Sequence, residues 1–125
     1  MAYFIVLARE IEGLDTGMDG KRLASHIEAL DEAAHASGIR PLSEFFSADP
    51  EEGADFLAGE GVDPGEIELA PLQQFSAQEG LEAVRALLLL PVTQAEDVAP
   101  DLRECERILE VAAQHGVGWH FEIDF

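Results

Sequence analysis

Ala2 to Ala8 is an unbroken apolar run of strand length, rich in aromatic and β-branched side chains. Such a run suits a strand covered on both faces, so it is expected at the centre of a sheet. Gly13, Gly17 and Gly20, interleaved with Asp15 and Asp19, supply the turn chemistry of a loop. From Lys21 onward Leu23, Ile27, Leu30 and Ala34 recur at helical spacing, while Glu28, Asp31 and Glu32 fall off that stripe and Gly38 stops the helix. Pro41 to Phe46 is expected as a short edge strand or an extended segment, anchored by Phe45 and Phe46.

Ser47 to Glu52 has the composition of a helix start, but Gly53, Gly59, Gly61, Pro64 and Gly65 interrupt it, which predicts one short helix and then a loop. Ile67 and Leu69 alternate with Glu66 and Glu68 as a strand would, until Pro71 ends the pattern. Ser76-Ala77-Gln78-Glu79 has capping-box spacing and predicts a helix start. Its buried stripe is Leu81, Val84, Leu87 and Leu88, widened by Leu89 and Leu90, and Pro91 ends it. A last helix begins near Pro100 and runs through Leu102, Cys105, Ile108, Leu109 and Ala112 to His115 and Gly116. Val117, Trp119, Phe121, Ile123 and Phe125 then alternate with Gly118, His120, Glu122 and Asp124, which predicts a strand with one core face and one solvated face.

A chain that begins and ends on strands, with helices between, predicts a single α+β domain over residues 1–125. Its small mixed or antiparallel sheet is formed by the N- and C-terminal strands, and about three helices pack on one face.

The segment Phe75-Ser76, Glu79-Gly80-Leu81, Val84 and Leu87, the helix ending at Gly116 and the strand Trp119 to Phe125 carry a resemblance. With Ile39-Arg40-Pro41-Leu42 and Phe45-Phe46-Ser47, they resemble small bacterial proteins classed only as domains of unknown function. The likeness covers roughly the last 50 residues and that one earlier segment, in caps and core positions. It implies no activity.

Charge changes the picture more than composition does. Hydrophobic residues make up 47% of the chain, an ordinary globular share, yet 26 Asp and Glu face only 7 Lys and Arg, for a net charge of −19. Eleven of the acids lie between Pro41 and Val84, where there is no Lys, Arg or His. A field of that sign repels phosphate backbones and anionic lipid surfaces, so neither nucleic acid nor membrane is an expected partner. No apolar run approaches the roughly 20 residues that cross a bilayer, and Met1 to Leu7 lacks the basic leader of an export signal. One cysteine, Cys105, forms no internal disulfide. A cytoplasmic location is therefore expected.

Candidate chemistry is sparse. His120, Glu122 and Asp124 sit at alternate positions of one strand, about 7 Å apart per step, and could begin a metal site if another element supplied further ligands. A metal-dependent hydrolase-like activity would use them, although a solvated polar face explains them too. Asp15 to Gly20 begins like a calcium loop, but Gly17 gives no third-position ligand and His26 stands where a bidentate glutamate is needed. His26 and His35, nine apart on one helix, point to nearly opposite sides. His115 suits a helix C-terminus. Cys105 lies on an apolar stripe between Glu104 and Glu106, a setting for an inert core thiol. No glycine pattern fits a nucleotide fingerprint, and no catalytic residue or cofactor is expected.

The leading expectation is a non-enzymatic interaction module that offers acids to a basic protein, as an inhibitor, immunity protein or chaperone does. Glu44, Asp49, Glu51, Glu52 and Asp55 would carry it. Adaptation to a salt-rich cytoplasm is the competing account of the acidity. A third reading makes the chain a subunit of a homodimer or larger homo-oligomer that buries Trp119 or Phe125.

Overall fold

A computed structural model describes residues 1–47 and 72–124. Strands β1 (Ala2–Leu7) and β2 (Trp119–Asp124) pair antiparallel, so the two ends of the described chain meet in one sheet. Tyr3, Ile5 and Leu7 stand opposite Ile123, Phe121 and Trp119 on the face turned to the helices. Phe4 opposes Glu122, and Val6 opposes His120, on the other face.

Among the described residues the centre of the sheet is β2, not β1. On its far side Ser47 N–H donates to Phe121 O (3.1 Å), while Phe75 exchanges two hydrogen bonds with Trp119 (2.7 and 3.0 Å). Among the described residues β1 is an edge, met only where Tyr3 N–H donates to Gly20 O (3.1 Å). Its continuous apolar run misled because Tyr3 and Ile5 are buried against the core while Phe4 and Val6 are only half-covered.

The expected helix from Lys21 is two helices, α1 (Lys21–Ser25) and α2 (Ile27–Ser37), separated at His26. α2 ends as glycine dictates: Gly38 takes φ 71°, and Ile39 N–H reaches back to Ala34 O (2.8 Å). Leu42–Phe45 is a 3₁₀ turn where a strand or extended segment was expected. A spacing of three brings Leu42 and Phe45 to the same side of that turn, and both are buried; extended pairing begins only at Phe46. The helix start, loop and strand expected between Ala48 and Pro71 lie outside the described residues.

Ser76 caps α3 (Ala77–Leu88) by accepting from Glu79 N–H (3.4 Å). The return half of the capping box is diverted, because the Glu79 carboxylate pairs with Arg40 (3.0 Å). α3 ends at Leu88, short of the expected stretch to Leu90: Leu89 is its C-cap and 86% exposed, so it does not widen the buried stripe. Leu90 is already extended ahead of Pro91, which opens a short helix of its own, α4 (Pro91–Ala95), at the first-turn position that a proline tolerates. α5 (Ala99–Gln114) follows and packs along α3.

Trp119 sits at the middle of the core. It stacks on Phe45 with ring centroids 5.0 Å apart and meets Phe121 edge-on at 4.7 Å. Burying about 200 Å² of indole at about 25 cal/mol per Å² contributes about 5 kcal/mol before entropy is charged against it. Trp119 is thus fully buried within its own chain and is not available to an oligomer contact; Phe125 lies outside the described residues.

Candidate functional site

The polar face of β2 is where sequence placed chemistry, and the structure changes its character. His120 is 1% exposed rather than solvated. The Gln74–Phe75 segment runs beside β2 and lays Gln74 against the imidazole, with Oε1 3.2 Å from Nδ1, while Nε2 lies 2.7 Å from Glu122 Oε2. With Oε1 facing it, Nδ1–H donates to Gln74 when the ring is an imidazolium that also donates Nε2–H to Glu122; a neutral ring protonated at Nε2 bonds Gln74 only with the amide turned over, so that its NH2 donates to Nδ1. Either way both nitrogens are engaged, and a metal at either would have to displace an internal bond. Asp124 is exposed at the strand end and takes no part. Among the described residues no three His, Cys, Asp or Glu side chains gather as a metal site. The His120–Glu122 pair ties the Gln74 segment to the sheet.

The acids of the Asp15–Gly20 loop are spent locally. Asp15 Oδ1 accepts from Gly17 N–H (2.8 Å), and Asp19 Oδ1 accepts from Lys21 N–H (3.1 Å) at the start of α1. His26 pairs with Glu96 (3.0 Å), and the carbonyl of His115 accepts from Arg9 (3.4 Å). Cys105 is fully buried, its sulfur 3.9 Å from that of Met18. Burial, reinforced by the charges of Asp101 and Glu104, pushes its thiol well above the usual range, so the thiolate needed for nucleophilic attack is suppressed.

Sequence reasoning missed Asp101. Gly20 gives α1 no side-chain cap, and Asp101, on the first turn of α5, supplies one from outside: its Oδ2 accepts from Leu23 N–H (2.9 Å). The carboxyl is buried, and desolvation raises its pKa; the backbone hydrogen bonds and Arg22 oppose the rise, and Asp19 adds to it. In sequence, Asp101 is an ordinary acid in a first helical turn, and nothing local announces a contact 78 residues away.

Among the five proposed partner-binding acids, Glu44 is described: it is half-exposed, with Oε1 3.7 Å from Arg40 Nε. Asp49, Glu51, Glu52 and Asp55 lie outside the described residues. Arg40 also lies over the Phe45 and Phe75 rings, at 4.5 and 5.2 Å from their centroids. Other cations are likewise held by the chain's own acids: Arg22 by Asp97 (3.1 Å), Arg85 by Glu106 (3.2 Å) and Glu110 (3.6 Å), and Arg107 by Glu104 (2.8 Å). Exposed pairs of this kind stabilise a fold by at most about 1 kcal/mol each. Their larger effect is to occupy the cations. Among the described residues no helix is long and apolar enough to cross a membrane.

No protein-family model matches the chain, and no characterised protein or solved structure matches it.

Proposed function

We propose that the chain is a non-enzymatic binding module of the cytoplasm whose acidic segment, Pro41 to Val84, recognises a basic protein in the manner of an inhibitor, immunity protein or chaperone. The observation that carries this reading is the disposition of charge. Eleven acids lie in that segment without a cation, and Arg40, Arg22, Arg85 and Arg107 are each engaged by carboxylates of the chain itself. Glu44 and Glu79 share Arg40 from just outside the segment, so a partner meets a segment in which acids far outnumber the cations near them in sequence. Self-repulsion among these acids weakens the fold, and a basic partner relieves it. Complementary charge acts mainly on encounter, so association slows as salt rises while dissociation changes less.

A fold adapted to a salt-rich cytoplasm would need salt itself. Thermal melting of the isolated protein separates the two, between about 0.1 M salt, where charges are screened over about 10 Å, and about 1 M, where the length is about 3 Å. The binding-module reading expects a cooperative transition already at the lower salt. A chain that is unfolded there and folds only toward molar salt would assign its acidity to the medium instead.

A further inference from the structure

The antiparallel register fixes which backbone groups of β1 are left over. Ala8 N–H donates to Gly118 O (2.8 Å), so the amides of even-numbered residues face β2 and those of Tyr3, Ile5 and Leu7 face away. Tyr3 uses its outward N–H on Gly20 O (3.1 Å). Among the described residues Ile5 and Leu7 have no backbone partner on that side. Beyond Leu7 the chain swings out and returns alongside the strand, leaving a groove of about 820 Å³ between the edge and the loop.

The lining of the groove selects its occupant. Ile11 is buried and Leu14 half-buried, which gives an apolar floor, while Glu10 and Glu12 stand exposed on the rim. Arg9, the cation of this wall, extends its guanidinium toward His115 O (3.4 Å). An open edge is a template for any extended chain, a second copy of this one included. With a net charge of −19, however, two copies repel each other, whereas a segment alternating basic and apolar residues matches both rim and floor.

Resting on the reading of the chain as an acidic binding module, we propose that the β1 groove takes an extended basic segment of the protein partner, added to Ile5 and Leu7 as a further strand. The main-chain bonds supply the register, and Glu10 and Glu12 supply the preference for positive charge.

Amide hydrogen exchange of the full chain, followed by NMR with and without a short peptide alternating Lys and Val, tests this. The Ile5 and Leu7 amides should slow by about tenfold on saturation, while that of Val6, already turned to β2, stays unchanged. A peptide alternating Glu and Val should do nothing. Joint substitution Glu10→Gln and Glu12→Gln should weaken Lys–Val binding by about fivefold. Leu7→Pro, which removes one outward N–H from an edge that tolerates proline, should abolish it. If that variant fails to fold, the two glutamate substitutions still decide.

Binding without any slowing at Ile5 and Leu7 would overturn strand addition and leave the acidic-module reading standing. Absence of Lys–Val binding would likewise overturn it. Slowing that needs no peptide and grows with protein concentration would overturn it in favour of a second copy.

Discussion

Gly80, inside α3, and Trp119, on β2, are in such close contact that a Cβ on Gly80 would overlap the indole at Cζ2, Cε2 and Nε1. Trp119 Nε1 donates to Ser76 O (3.1 Å), which draws the ring across the first turn of the helix. Helix propensity alone says that alanine at an interior glycine stabilises by about 1 kcal/mol. Here the ring forbids it. Gly80→Ala is expected to destabilise by about 1–3 kcal/mol, because backbone and a buried indole must move apart. Urea denaturation checks the sign, and a gain in stability would show that the contact relaxes freely.

Asp101 gives a pH dependence of known direction. Burial raises its pKa in the folded chain above the ordinary 3.8, so the native state holds that proton more tightly than the unfolded state does. Its contribution is complete below the ordinary value and is lost as pH rises through the raised one. Asn at this position keeps an acceptor for Leu23 N–H but does not titrate. The stability of wild type minus that of Asp101→Asn is therefore expected to grow as pH falls from 7 toward 4. A pH-independent difference would show that the carboxyl titrates as if exposed.

Cys105 is expected to behave as a small apolar side chain. Cys105→Ala should cost about 1 kcal/mol, the scale for a minor loss of core volume, and leave binding properties unchanged. Native protein should react with a thiol reagent only at the rate of unfolding. Rapid labelling would mean that the site opens.

His120 and Glu122 are expected to hold the Gln74 segment rather than a metal, since both ring nitrogens are already bonded. Calorimetric titration of the isolated protein with zinc, manganese and calcium should show no micromolar binding. His120→Ala should cost about 1–3 kcal/mol through lost packing and the two lost hydrogen bonds. Micromolar binding that vanishes in that variant would revive the hydrolase-like reading.

What sequence revealed of this fold is what local patterns control. The Ser76 cap, the Gly38 terminator and the alternation of Trp119, Phe121 and Ile123 each act within a turn or a strand pair, and each stands where it was expected. What failed depends on neighbours far along the chain. His120 has the polarity of a solvated position and is buried by Gln74, 46 residues away. β1 has the composition of a central strand and among the described residues lies at an edge, because the segments at Phe46 and Phe75 pair with β2. Glu79 had the spacing to reach back to its own cap and was taken by Arg40. The carboxylates assigned to binding were legible as a charge imbalance, a property of sums, which carries no geometry.

Affinity capture from native lysate, comparing wild type with a variant carrying Glu44→Gln, Asp49→Asn, Glu51→Gln, Glu52→Gln and Asp55→Asn, tests the central claim most directly. The account predicts that wild type retains a basic protein at low salt and releases it as salt approaches about 1 M, where screening shortens to about 3 Å, and that the neutralised variant does not retain it. Capture of no basic protein, or equal retention by the neutralised variant, would contradict it.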